Sequence, residues 1–263
     1  MKVGIIGVGK VGSAVRHGFT RVGHDISIFD TQMPETKFTD ILGTEVVFIS
    51  VPTPQNEDGS CNVSIVEKVV EDLSRARYAG LVTIKSTVVP GTTDRLAKTY
   101  PKLRLAFCPE FLRERAMFVD FVENHDVCVV GAYNKEDADI LTRVHDVLPK
   151  KFAYIKPLEA ELGKYFMNVF NALRITYANQ FYDVCKAVGA DYKKVKDAIV
   201  SHRSVQDVYL DSNENFRGFS GACLPKDTSA FAHFARELLG EESSLSIFEG
   251  IVEINQRYKP TVF

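Results

Sequence analysis

The chain has 263 residues, 45% hydrophobic and 25% charged, with a formal net charge of −2. This length fits one large or two small domains, and the composition is that of a soluble globular protein; near-neutral charge gives no chain-wide case for binding nucleic acid or a membrane. No apolar run reaches membrane-spanning length, no signal peptide precedes the first apolar run, and five scattered cysteines without a C-x-x-C pair favour a reducing, cytoplasmic setting over a disulfide framework or a metal site.

Lys2 to Ile6 is a short apolar run that reads as a buried parallel strand. It leads into Gly7-Val8-Gly9-Lys10-Val11-Gly12, a helical pattern to about Val22, a closing Gly23, a second strand over Ile26 to Phe29, and Asp30. This is strand, G-x-G-x-x-G, helix, strand and acid, with the acid 18 residues past the last glycine. Glycines at these places permit the turn, the approach of a pyrophosphate to the backbone and the packing of helix on strand, while the helix N-terminus faces the phosphates. Asp30 would accept hydrogen bonds from the adenosine ribose and repel a 2′-phosphate, which favours NAD over NADP.

Val46 to Val51 is a third strand, ending in Pro52-Thr53-Pro54 at the edge where ligands sit in such sheets; Pro52 and Thr53 are candidate cofactor contacts. A helix over Val63 to Ser74 and a strand over Leu81 to Ile84 follow. In Lys85-Ser86-Thr87-Val88-Val89-Pro90-Gly91-Thr92-Thr93, Thr87 lies at the strand end with its hydroxyl available to cofactor or substrate, and Thr92 or Thr93 is expected to cap the next helix. Leu105 to Phe107 is a strand opening into Cys108-Pro109-Glu110-Phe111-Leu112-Arg113-Glu114, which read by itself is a solvated charged loop. A strand over Val127 to Val130, a helix over Lys135 to Val147 and a strand over Phe152 to Ile155 complete an alternating α/β pattern, the mark of a doubly wound parallel sheet over residues 1–156.

From Pro157 no strand signal recurs, so 157–263 is expected to be an all-helical domain. Pro157 to Val188 reads as one long helix stopped by Gly189, long enough to need a second domain or a second copy to cover it. Lys164 and Asn168 share one face, beside an apolar stripe of Leu158, Leu162, Phe166, Phe170 and Leu173. A helix over Asp191 to Val200 precedes an irregular stretch to Arg217. Then comes G-F-S-G-A-C-L-P-K-D, Gly218 to Asp227. Gly218 and Gly221 allow tight backbone near a ligand, and Pro225 suits the first turn of a helix to Leu239. Cys223 thus falls just before a helix N-terminus, where partial positive charge, aided by Lys226, favours thiolate. Asp227 is a carboxylate suited to activating water or receiving a proton. A last helix is expected from about Ser244 to Tyr258.

Together, G-V-G-K-V-G with Asp30, V-P-T-P at 51–54, K-S-T-V-V-P-G-T-T at 85–93, C-P-E-F-L-R-E at 108–114, E-L-G-K-Y-F-M-N with Lys164 and Asn168, and C-L-P-K-D at 223–227 resemble the UDP-glucose/GDP-mannose dehydrogenases over nearly the whole chain. The resemblance implies an NAD-binding Rossmann domain and a helical central domain whose long helix pairs two copies. It also implies a four-electron oxidation of a nucleotide sugar, UDP-glucose to UDP-glucuronate, with two NAD. Cys223 would then trap the aldehyde as a thiohemiacetal and carry it on as a thioester. Lys164 and Asn168 would stabilise charge on the substrate oxygen, and Asp227 would assist proton transfer. Thr87, Glu110 and Glu114 would hold water, substrate and nicotinamide, with the choice of glutamate as base left open; Phe111, Leu112, Gly218 and Gly221 would complete the substrate contacts. Three departures stand out: the family's further nucleotide-sugar-binding domain is expected to be missing after the last helix, the stretch after Asp30 is short, and Phe216, Ser220 and Ala222 occupy a loop usually richer in glycine. Two other readings share these features: a two-electron hydroxy-acid dehydrogenase, and a non-catalytic truncated relative that binds NAD or a partner subunit.

Overall fold

The computed structural model describes residues 1–240 and 246–258. The chain forms two compact units, one of Met1–Pro54 and Asn62–Lys164, the other of Gln55–Cys61 and the chain from Tyr165 on.

The first unit holds a seven-stranded sheet: β1 (Lys2–Ile6), β2 (Asp25–Phe29), β3 (Val46–Ile49), β4 (Leu81–Ile84), β5 (Arg104–Phe107), β6 (Cys128–Gly131) and β7 (Phe152–Ile155), in the order β2-β1-β3-β4-β5-β6-β7. The strands read as near-continuous apolar runs because both faces of the sheet are covered. Alternate residues serve opposite faces. Val3, Ile5, Val46 and Phe48 pack with Ala14, Val15 and Phe19 of α1 (Lys10–Arg21), Phe121 of α4 (Met117–Val122) and Leu141 and Val144 of α5 (Lys135–His145). Ile6, Val47, Ile49, Val82 and Ile84 pack instead with Val66, Val70 and Leu73 of α2 (Ser64–Arg75) and Leu96 of α3 (Thr92–Thr99). The strand order reverses between β1 and β3, which makes the crevice at their C-terminal ends the ligand-binding edge of such a sheet.

The sheet departs from the expected parallel pattern once: β5 and β6 are antiparallel, with Phe107 opposite Gly131. The connection between them carries no helix beyond a single 3₁₀ turn and the six-residue α4, so the chain re-enters the sheet from the end at which it left. A second correction concerns α3. Neither Thr92 nor Thr93 caps it; both lie inside the helix, and Gly91, in a left-handed conformation, holds the cap position without a side-chain bond. The capping group comes from far along the chain: Glu161, fully buried, accepts from Gly91 N at 2.6 Å, Thr93 N at 2.8 Å and Thr93 Oγ1 at 2.6 Å.

His125 lies against the Phe121 ring, with centroids 5.3 Å apart, and burial pushes its imidazole down from 6.5 to about 4. The folded state thus favours neutral His125. Its contribution to stability is complete above pH 6.5 and is lost as pH falls from 6.5 through about 4, roughly 3 kcal/mol over that window. Urea unfolding at pH 7 and pH 4.5 is expected to show this loss in the wild type and a clearly smaller one in His125→Gln; equal losses in both proteins would refute it.

The second unit is helical. It contains most of α6 (Pro157–Ala187), whose residues up to Lys164 belong to the first unit, together with α7 (Tyr192–Ile199), α8 (Leu224–Leu239) and α9 (Ile247–Gln256). Asp191 caps α7 by accepting from Lys193 N and Lys194 N, and Ser246 caps α9 through Glu249 N. Ser244, where the last helix was expected to begin, lies outside the described residues. Val169, Ala172, Phe219 and Ile251 form the main core with Leu224, Phe231 and Phe248 around them. The segment Gln55–Cys61, just past β3, joins this unit: Gln55 Nε2 donates to Ser229 Oγ at 2.8 Å, and Asp58 lies 3.8 Å from His233. Along α6 and just past its end, Phe166, Tyr177, Val184 and Val188 are each more than half exposed. No helix among the described residues is long and apolar enough to cross a membrane.

Candidate active site

The glycine turn occupies the β1–β3 crevice. Gly7 has φ +87°, and a Cβ there would stand 2.7 Å from the Ser50 carbonyl oxygen. A Cβ on Gly12 would stand 1.9 Å from the Gly7 oxygen, so the first turn of α1 rests directly on the backbone that precedes it. Gly9, by contrast, faces open space and caps α1 with no side-chain bond, and no acidic residue sits in that first turn. The amides at the start of α1 are therefore left for an anion. Asp30 ends β2 and already points at the turn, accepting from Val8 N at 2.6 Å and Gln32 N at 2.8 Å. Lys10 pairs with Glu114, which brings one predicted cofactor contact to another, while Val11 packs against the core. Thr53 is buried and Pro52 exposed at the end of β3; Ser50 Oγ is buried there with no partner among the described residues. This cradle, open at Gly9 and edged by an acid, fits a dinucleotide. Gly12→Ala is expected to retain the fold and weaken NAD binding by at least about tenfold, because the helix must move off the turn; calorimetric titration with an unchanged affinity would contradict this.

A second group centres on Lys164. Its Nζ donates to the Glu110 carbonyl oxygen at 2.6 Å and to Glu110 Oε1 at 3.2 Å, with the Phe111 ring 5.5 Å away. Leu112 N donates to Glu110 Oε2 at 2.5 Å. The two charged side chains are only 4% and 9% exposed, so Glu110 is not part of a solvated loop as its local sequence implies. A desolvated pair of this kind is held by geometry and extra hydrogen bonds rather than by net Coulomb gain. The following turn is fixed by Asp120, which accepts from Arg113 N and from its guanidinium at 2.6 and 2.9 Å; those bonds hold the Asp120 carboxyl at about 2. Thr87 is half-buried just past β4.

A third group lies in the helical unit. Cys223 is exposed and occupies the cap position of α8, with Pro225 in the first turn. One turn on, Asp227 is 1% exposed; it accepts from Asn168 Nδ2 at 2.6 Å and Lys226 Nζ at 2.5 Å, and its own N–H donates to the Cys223 oxygen at 2.8 Å. The approach to Cys223 needs its glycines: Gly218 has φ +64° and Gly221 +85°. Phe216, the unexpected bulky residue, closes a short turn by pairing its backbone with Asn213.

Two residues outside the predicted set fasten this loop. Asn179 Oδ1 accepts from Arg217 Nε at 2.7 Å and Gly218 N at 3.1 Å, and Asn255 brackets Phe219, accepting from its N–H at 2.8 Å and donating to its oxygen at 3.0 Å. Spacing held a clue to the first, since Asn179 follows Asn168 by three helical turns and so shares its face.

Family models described as the NAD binding domain and the central domain of the UDP-glucose/GDP-mannose dehydrogenase family match residues 34–148 and 158–257. The chain belongs to the UDP-glucose/GDP-mannose dehydrogenase family. Its cofactor is accordingly NAD. Among curated relatives, the UDP-glucose 6-dehydrogenase AglM of Haloferax volcanii is 30% identical over 90% of this chain and 66% of its own length. The GDP-mannose 6-dehydrogenase of Pseudomonas aeruginosa is 29% identical over 75% of this chain and 48% of its own. The solved UDP-glucose dehydrogenase from Pyrobaculum islandicum superposes with a TM-score of 0.86 at 28% identity, over 97% of this chain and 68% of that one. The chain thus spans about half to two thirds of the curated relatives' length. The curated relatives matched are nucleotide-sugar dehydrogenases acting on UDP-glucose or GDP-mannose.

Proposed function

We propose that the chain oxidises UDP-glucose to UDP-glucuronate, a four-electron oxidation carried by Cys223, and that residues 1–156 and 157–263 are its NAD-binding and central domains. The observation that carries the reading is the placing of an exposed cysteine at the start of a 16-residue helix, with a buried, hydrogen-bonded aspartate one turn behind it. NAD, when bound, accepts a hydride in each of the two oxidations. Gly7 to Gly12 and Asp30 would hold it, with Pro52, Thr53, Thr87 and Glu114 at its edge.

Lys164 and Asn168, one turn apart on α6, would donate to the sugar oxygen as negative charge grows on it. The Cys223 sulfur would add to the aldehyde carbon, keeping a reactive product bound while the cofactor exchanges. The adduct is a thiohemiacetal; its oxidation leaves a thioester. Water then attacks the acyl carbon, and the thiol leaves with a proton. Asp227 is suited to direct that water, since its carboxylate oxygens are already fixed by Asn168 and Lys226. Glu110 and Glu114 would serve as substrate and cofactor contacts, one of them as base; Phe111, Leu112, Gly218 and Gly221 would shape the sugar pocket.

NADH yield tests the reading: two per UDP-glucose are expected, with little turnover of GDP-mannose. One per sugar would favour a simple alcohol dehydrogenase. NAD binding without NADH from any nucleotide sugar would favour a non-catalytic relative.

The exposed Phe166, Tyr177 and Val184 on α6, with Val188 just past its end, support a homodimer through that helix. Sedimentation at micromolar concentration is expected to give twice the chain mass, and Phe166→Glu to shift it toward the monomer; a monomeric wild type would refute the pairing.

A further inference from the structure

Deep in the sheet unit lies a cluster that the proposed reaction does not use. Lys85, first residue of K-S-T and 3% exposed, donates from Nζ to the Cys108 carbonyl oxygen at 2.9 Å and lies 3.7 Å from Cys108 Sγ. Cys108 Sγ is also 3.7 Å from Cys128 Sγ and 3.8 Å from His145 Nε2, and all three residues are at most 1% exposed. His145 Nδ1 faces the Leu141 oxygen at 2.8 Å, which orients the ring with Nε2 toward the sulfur. The rings of Phe48 and Phe121 close the ammonium in at 5.6 and 5.9 Å.

A buried ammonium needs a counter-charge. Among its contacts in the described residues, Cys108 Sγ is the group able to carry one. Two thiols and an imidazole within 4.8 Å of one another are also a set that could hold a metal ion. The Lys85 charge decides against that: in a dry core it repels a second cation and attracts a thiolate. The acid–base balance runs the same way: the Cys128 thiol bond and the Lys85 charge hold Cys108 well below the usual thiol range, while the bond to Cys108 and burial raise Cys128 well above it.

We propose that Cys108 and Cys128 form a buried peroxide-sensitive pair, Cys108 as the Lys85-stabilised thiolate and Cys128 as the resolving thiol. Cys108 thiolate attacks one oxygen of hydrogen peroxide, breaking the O–O bond and giving a sulfenic acid and hydroxide. The Cys128 sulfur then attacks the Cys108 sulfur, forming the disulfide; the sulfenic oxygen leaves as water with the thiol proton. The peroxide is the oxidant for both electrons. A reagent the size of water reaches such a core through local opening. The disulfide would remove the counter-charge of Lys85 at the root of the loop that carries Glu110.

The test is a peroxide titration of the intact protein, followed by thiol alkylation, digestion without reduction and mass spectrometry. A Cys108–Cys128 cross-linked peptide is expected, formed about tenfold more slowly in Lys85→Met. In Cys128→Ser, a sulfenic-acid probe is expected to label Cys108. Cross-linking at the same rate in Lys85→Met would overturn the thiolate assignment. Absence of both cross-link and label, while exposed Cys223 in the same sample is oxidised, would overturn the pair. So would stoichiometric zinc in the purified protein, released by a thiol reagent.

Discussion

Cys223→Ala is expected to lower steady-state NADH formation from UDP-glucose by at least roughly 10⁴-fold, because a covalent nucleophile is removed, and to leave NAD affinity unchanged. The separation follows from where the residues sit. Cys223 sits at the start of α8 in the helical unit, while the amides proposed to face the cofactor phosphates belong to the glycine turn after β1. Without sulfur the aldehyde has no covalent tether, so a single-turnover experiment should give at most one NADH per active site. Rapid quench and fluorescence titration of NAD measure the two quantities. Two NADH per sugar from the alanine variant, within about tenfold of the wild-type rate, would show that the sulfur is not the nucleophile.

The second large effect concerns stability. Glu161→Ala is expected to cost about 4 kcal/mol, because it strips the acceptor from the part-buried Gly91 N–H and from the buried N–H and hydroxyl of Thr93 at the start of α3. Burial pushes the Glu161 carboxyl above its ordinary range even though three donors face it. Glu161→Gln keeps one oxygen acceptor and is expected to lose about half as much. Urea unfolding measures both, and a loss below about 1 kcal/mol in the alanine variant would mean that solvent or another group caps α3 equally well.

How much of this was readable in the chain depends on the range of the interaction. The strands were legible because a sheet covered on both faces demands unbroken Val and Ile runs, and the glycine turn because sterics forbid a Cβ at Gly7 and Gly12. The cap position of Cys223 was legible because Pro225 marks a first helical turn. The capping of α3 was not: threonine is a common cap, and nothing near Thr92 announces a carboxylate some 70 residues away. Glu110 looked solvated for the same reason, since its partner Lys164 is 54 residues distant. The reversal of β6 was hidden because strand direction is set by the route of the connection, and an apolar run reads alike in either sense.

The segment Gln55–Cys61 has a consequence for how the chain is made. It leaves the ribosome long before the helix it bonds to, since Ser229 follows Gln55 by 174 residues. The sheet unit can assemble from chain already synthesised, but the helical unit must retrieve a piece emitted near the start and close a loop around most of the other unit's sequence. A contact of this sequence separation slows folding. A fragment beginning at Tyr165 would present Ser229 without Gln55 and His233 without Asp58. For genetic dissection, the useful cut is one that keeps residues 55–61 with the helices, and a simple split at α6 does not.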